Sequence, residues 1–220
     1  MEMHKLTLDP STKMGWCLYL DKNELPARED GREYLISELL FHGTWDLTRD
    51  VDGKKCSRRG QYYINFLECF RRLRRLHNID EAEIKIALEG EAYAANRTEA
   101  SARLAAGWIA VLEMYCERKV NTYPVTVTTD NWRKAFTGFS RAPKEIKGTN
   151  ERRDWIKTKV LEKCASRGLR PRDDNEADAI GIMYWLMNNG ERAQADRRAE
   201  KKAKTAEKRA QKKLDLAVAA

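Results

Sequence analysis

Histidine is scarce in this chain: only three occur, His4, His42 and His77, scattered and all before residue 80. A structural zinc site needs clustered nitrogen or sulfur ligands, and a Ser-His-Asp hydrolase needs a histidine placed beside a nucleophile, so both are disfavoured. The five cysteines (Cys17, Cys56, Cys69, Cys116 and Cys164) form no CxxC pair and are odd in number. They read as reduced, mostly buried thiols rather than a disulfide framework, which predicts a cytoplasmic setting. No apolar run approaches the length of a membrane span, and Met1-Glu2-Met3-His4-Lys5 lacks the apolar region of a signal peptide.

What is present is charge and enough apolar residue for a core. The 220 residues suit one domain, or one domain with an appendage, and 42% of them are hydrophobic. Charged residues reach 35%, high for a compact domain, and the formal net charge is +8. That excludes an acidic solvating protein and makes a polyanionic partner plausible. The charge is uneven. Residues 191–220 hold ten Lys/Arg and five Asp/Glu, a net of +5, which leaves +3 for residues 1–190. The segment 191–220 is rich in Ala, Lys, Glu and Arg with no apolar stripe before Leu214, so it reads as a solvated helix or a disordered basic arm. Asn188-Asn189-Gly190 is a helix-stop signal that divides body from tail.

Within the body, short apolar runs alternate with helical patterns. Lys5–Asp9 and Gly15–Leu20 read as strands around a Pro-Ser-Thr-Lys turn, followed by a polar stretch at 24–33 and a third strand at Leu39–Leu47. Arg59–His77 has apolar positions Tyr62, Ile64, Phe66, Leu67, Phe70, Leu73 and Leu76 opposite an arginine-rich face, the pattern of an amphipathic helix. The run Arg71-Arg72-Leu73-Arg74-Arg75 then belongs to its polar side. Ile84–Leu88 and Pro124–Val127 read as strands, and Thr98–Glu117, Arg152–Ser166 and Asp174–Met187 as helices. Ala102, Ala105, Ala106 and Gly107 offer a small-residue face for a dimer seam or for packing on the sheet. The stretch 136–150 contains Gly138, Ser140, Pro143 and Gly148 among Arg141, Lys144 and Lys147, and reads as a basic loop. The expected architecture is α/β, a mixed sheet flanked by helices.

Three carboxylates stand where this architecture gathers chemistry. Asp9 ends the first strand, Glu89 ends the strand at 84–88, and Asp178 opens the final helix with Asp174 four residues earlier on the same face. Ends of adjacent strands converge on one crevice. Clustered carboxylates repel unless a cation neutralises them, and an all-oxygen set suits Mg²⁺ or Mn²⁺. Each position also has an ordinary structural explanation: an Asx turn at Asp9, an exposed strand end at Glu89, a helix cap at Asp174. Asp178, between Ala177 and Ala179, is the hardest to explain that way.

The segment Leu6-Thr7-Leu8-Asp9-Pro10-Ser11-Thr12-Lys13-Met14-Gly15-Trp16 resembles the first motif of RuvC-type Holliday junction resolvases, in the RNase H-like nuclease superfamily. Ile86-Ala87-Leu88-Glu89, followed by Tyr93 and Asn96, is similar to the second motif. Asn175-Glu176-Ala177-Asp178-Ala179-Ile180-Gly181-Ile182 is similar to the last, and Lys157 is placed like a family lysine near the site. The resemblance spans residues 3–190 and is closest in wording to the phage-encoded branch. It implies an RNase H-like five-stranded mixed sheet and a homodimer with two active sites. It also implies four-way-junction DNA as substrate and two Mg²⁺ ions per site, with Mn²⁺ substituting. The implied ligands are Asp9, Glu89, Asp178 and a fourth from Asp174, with Asp173 and Asn175 as rivals. Lys157 is the implied neutraliser of phosphate charge, and Lys144, Lys147, Arg152, Arg153 and Tyr93 the implied DNA contacts. The implied setting is a bacterial cytoplasm or a phage-infected cell, in DNA recombination and repair. Three other readings share these residues: a nuclease for flaps or other branched DNA, a ribonuclease of RNA–DNA hybrids, and a non-catalytic module that binds branched DNA.

Overall fold

The computed structural model describes residues 3–28, 32–50, 52–80, 84–90, 99–119, 123–188, 190 and 192. The described residues form an α/β fold on a mixed open sheet of five strands. Strands β1 (His4–Asp9), β2 (Lys13–Tyr19) and β3 (Leu40–Asp46) form an antiparallel meander, with the one-turn helix α1 (Ile36–Leu39) leading into β3. After helix α2 (Arg59–Leu76), β4 (Ile84–Glu89) returns parallel to β1. After helix α3 (Glu99–Lys119), β5 (Val125–Val127) adds parallel to β4, giving the order β3-β2-β1-β4-β5. Helices α4 (Thr129–Thr137), α5 (Thr149–Ala165) and α6 (Asp174–Met187) complete the chain.

Strand alternation sorts the side chains into two cores. Leu6 and Leu8 of β1, Met14 and Leu18 of β2, and Ile84, Ile86 and Leu88 of β4 point to one face. There they meet Phe66, Phe70 and Leu73 of α2 and Trp108, Leu112 and Tyr115 of α3. Cys17, Tyr19 and Ala87 point to the other face, against Trp132 and Phe136 of α4, Val160 and Cys164 of α5, and most of α6. Thr7 belongs to this second face and fastens it: its hydroxyl donates to the Ala179 carbonyl of α6 at 2.7 Å. Because period two carries the same side of each strand forward, Asp9 and Glu89 also lie on the α6 face.

Most expected elements are present with small shifts of boundary. Two differences have physical causes. The segment 129–137, assigned no element before the loop expected from 136, is helix α4. Trp132 and Phe136, one turn apart, bury one side of it, and Gly138 at φ 87° stops it in the left-handed conformation. In α2, Ile64 and Leu76 are exposed rather than packed, at 50% and 78%. The apolar stripe is therefore narrower than seven positions. Arg71, Arg72 and Arg75 face solvent, while Arg74 donates to the Tyr115 hydroxyl at 2.9 Å. The face of α3 around Ala105 and Gly107 meets α2: the Tyr63 ring lies edge-on to Trp108 at 4.6 Å, with its hydroxyl donating to the Leu104 carbonyl. Ala106 is exposed. Residues 193–220, including the expected basic arm, lie outside the described residues, and no described helix is long and apolar enough to cross a membrane.

Gly15 decides how close α6 sits to the sheet. It pairs with Asp9 across β1 and β2, and a Cβ added there would lie 1.9 Å from the Asn175 carbonyl oxygen. Only a residue without Cβ lets the backbone at the start of α6 rest on β2. Gly15→Ala forces that helix end outward, an overpacking cost of about 1–3 kcal/mol. We expect its urea midpoint to fall with the slope unchanged, measured by circular dichroism. A wild-type midpoint would mean that α6 has slack against the sheet.

Candidate active site

The last register pair between β1 and β4 is Leu8 with Leu88. One step further, Asp9 and Glu89 stand at the adjoining C-terminal ends of the two strands. Glu89 is held from α4: Thr129 Oγ1 donates to its Oε1 at 2.6 Å, and Trp132 Nε1 donates to its Oε2 at 2.8 Å. Trp132 reaches this position by packing against α6 at Gly181, where an added Cβ would be 2.5 Å from its ring.

Helix α6 brings the other acids. Its first turn is capped by Asp173, which accepts the Glu176 N–H at 2.8 Å and the Thr44 hydroxyl of β3 at 2.8 Å. Asp173 is thus committed to the cap. Asp178 lies a turn further in, and Arg133 of α4 approaches it at 3.3 Å between Nη2 and Oδ2. Asp174 is paired with the Lys157 ammonium of α5. Asp9, at the centre, receives no hydrogen bond or ion pair among the described residues. Arg133 in turn keeps its Nε buried without an acceptor among the described residues.

The electrostatics link these groups. Burial pushes the Asp9 carboxyl well above the usual range, and the charges of Asp178 and Glu89 push it further, with Asp174 adding to the effect and Arg133 opposing it. Burial likewise raises Asp178 to about 7, with Glu89 and Asp174 adding to the shift and Arg133 opposing it by charge and hydrogen bond. Asp174 is lowered, chiefly by its hydrogen bond from Lys157, with Arg153 adding a weaker attraction. Acids from two strands and one helix therefore share a single negative field.

Among the described residues, no group of three or more His, Cys, Asp or Glu side chains is arranged to hold a metal ion as it stands. The chain's own groups account for this: Thr129 and Trp132 take both oxygens of Glu89, and Arg133 and Lys157 stand beside Asp178 and Asp174 in place of cations. The donor chemistry nevertheless fits a hard divalent cation. The acids are all-oxygen donors, the charges of Glu89 and Asp174 raise Asp9 and Asp178, and among the described residues the Asp9 carboxylate is left without a donor.

Of the expected DNA contacts, Lys144, Lys147, Arg152 and Arg153 are exposed, with Arg153 on the side of α5 that influences Asp174. Tyr93 lies outside the described residues. Sequence reasoning missed Thr129, Trp132 and Arg133, because α4 was not recognised as a helix; the spacing Trp132–Phe136 before Gly138 was the signal that could have found it. It also missed a second tie between sheet and α6: His42 Nδ1 of β3 contacts the buried Glu176, whose other oxygen accepts the Arg172 N–H at 3.0 Å. A single histidine on an edge strand gives no sequence signal for a partner 134 residues away.

No protein-family model matches the chain, and no curated protein matches it.

Proposed function

We propose that this chain is a metal-dependent endonuclease of the RNase H-like kind that resolves four-way DNA junctions by paired nicks, acting as a homodimer. The observation that carries the reading is a negative cluster drawn from distant segments: burial and the charges of Glu89 and Asp174 raise both Asp9 and Asp178, and Asp9 has no hydrogen-bond or ion-pair partner among the described residues. Such a cluster costs stability unless it serves a cation. The mixed five-stranded sheet is compatible with the architecture that the sequence resemblance implies.

Asp9, Glu89, Asp174 and Asp178 would hold two Mg²⁺ ions, or Mn²⁺ in their place. When bound, such ions activate a water for attack on a phosphodiester and stabilise the departing 3′ oxygen. Thr129 and Trp132 hold the Glu89 carboxylate in place, one donor to each oxygen. Arg133 and Lys157, which pair with Asp178 and Asp174, would neutralise charge on the phosphate. Hydrolysis in this sense leaves a 5′ phosphate and a 3′ hydroxyl. Two copies of the chain supply one site for each opposed strand of a junction.

The test is cleavage of a labelled four-way junction with metal omitted and then restored, beside a flap, a three-way junction and an RNA–DNA hybrid. Metal-dependent paired nicks confined to the junction are expected. Preferential cutting of the flap or hybrid reassigns the substrate. One observation favours the non-catalytic alternative, a branched-DNA-binding module: internal cations already pair with Asp174 and Asp178. Junction binding with no cleavage in any divalent metal would establish that reading instead.

A further inference from the structure

The basic charge of the body is concentrated in one stretch of chain, of which Arg133 and Lys157 stand against the carboxylates and the rest lies apart from both them and the tail. Residues 133–159 hold nine Lys/Arg and three Asp/Glu, a net of +6, so the rest of residues 1–190 is at −3. Lys144, Lys147 and Arg152 are exposed in this stretch and make no ion pair among the described residues. Besides the buried Phe136, two aromatic rings stand in its midst. Phe139 is 48% exposed, and its ring meets Trp155 of α5 edge-on with centroids 5.2 Å apart. The Lys159 ammonium lies 5.7 Å from the Trp155 centroid.

Phe139 does not hang on a loose loop. Gly138 turns the chain at φ 87°, and the Phe139 N–H donates to Thr137 Oγ1 at 3.1 Å, a hydroxyl that is itself tied to the end of α4. An apolar ring presented to water on a braced turn costs free energy that buried packing does not return. Flanked in sequence by cations, it has the composition of a stacking platform: charges that follow a phosphate backbone and a π-face that takes a base of any sequence.

The geometry points to Phe139, backed by Trp155, as a stacking site for an unpaired nucleobase on a DNA strand carried by Lys144, Lys147 and Arg152. The inference rests on the reading of the chain as a DNA nuclease. It adds a subsite outside the carboxylate cluster. Phe139 follows Thr129, the Glu89 partner, by ten residues of mostly helical chain, a rise of about 15 Å. That is a span of roughly four nucleotides, so the stacked base belongs to the strand leaving the reacting phosphate rather than to the phosphate itself.

The experiment titrates the full chain, its Phe139→Ala and its Phe139→Trp variants with labelled oligothymidine and with a blunt duplex, without metal, over a series of salt concentrations. Phe139→Ala is expected to weaken single-strand binding about tenfold, to leave duplex binding unchanged and to keep the salt slope, because stacking releases no counterions. Phe139→Trp is expected to retain single-strand affinity. Wild-type single-strand affinity in Phe139→Ala, or equal losses on both probes, overturns the site while leaving the nuclease reading in place. So does a change confined to sedimentation, which would make the patch a contact between two copies. Failure of the wild-type chain to bind either probe removes the DNA reading and the site together.

Discussion

An Asp9→Asn chain is expected to lose junction cleavage by about three orders of magnitude, roughly 4 kcal/mol of transition-state stabilisation, while still binding the junction. Asp9 ends β1 beside Glu89 on β4 and faces Asp178 on α6, so it is the acid on which the charges of the others converge. Asparagine keeps the size and one oxygen but removes the charge that a cation needs. The same substitution should make the metal-free protein more stable. Burial and the charges of Asp178 and Glu89 disfavour the ionised Asp9 carboxylate, and the neutral amide relieves that repulsion. Loss of function with gain of melting temperature is the mark of a group kept for chemistry rather than for folding. Single-turnover cleavage and thermal melting in EDTA measure the two halves. Mg²⁺-dependent nicking at the wild-type rate by a pure preparation would end the assignment of Asp9 as a ligand.

The second large effect is a stability that moves oppositely with protons and with metal. Asp178 is pushed up to about 7 in the folded chain, against roughly 3.9 for an unfolded aspartate. Asp9 shifts in the same direction. The folded state therefore binds more protons than the unfolded state between these limits. Its contribution to stability is complete below a pH of about 4 and is lost as pH rises through about 7. Asp174, lowered by Lys157, runs the other way: its contribution is present above about 4 and is lost as pH falls below it. The Asp9–Asp178 effect is the larger, since both groups sit desolvated among like charges.

Between pH 5 and 8, the metal-free melting temperature should consequently drop as the cluster ionises. Mg²⁺ binds the ionised acids, so the stabilisation it brings should grow over that interval, reaching about 3 kcal/mol at a hundredfold excess over its dissociation constant. Calorimetric scans at pH 5 and pH 8, with and without Mg²⁺, measure it. The increment should shrink in Asp9→Asn. A Mg²⁺ increment equal at both pH values and unaffected by Asp9→Asn would show that the cation binds elsewhere.

Much of this arrangement can be read from residues alone, for a local reason. A strand that buries one face repeats every two residues, so Leu6, Thr7, Leu8 and Asp9 announce both the strand and the acid at its end. Ile84, Ile86 and Leu88 do the same for Glu89, and the small residues around Asp178 announce a helix that lies close to something. Which acid caps α6 is a different kind of question. Asp173, Asp174 and Asn175 are adjacent and all suited to a helix start. The selection comes from Thr44 on β3, which takes the Asp173 carboxylate, and from Lys157 on α5, which takes Asp174. Neither partner is near them in sequence.

The sequence by itself therefore determined the α/β alternation, the three acid-bearing segments and the imbalance of charge, because each depends on local periodicity, turn residues or counting. Tertiary structure alone decided what surrounds those acids. Helix α4 packs along α6 beside the end of β4, so Trp132 and Thr129 orient Glu89, and Arg133 stands against Asp178 where a cation is expected. Tertiary structure likewise set Phe139 against Trp155, sixteen residues apart, on the most basic part of the body. The reason is the range of the forces. Backbone geometry acts over a few residues, whereas desolvation, ion pairing and ring packing depend on which distant groups the packed fold brings within a few ångströms.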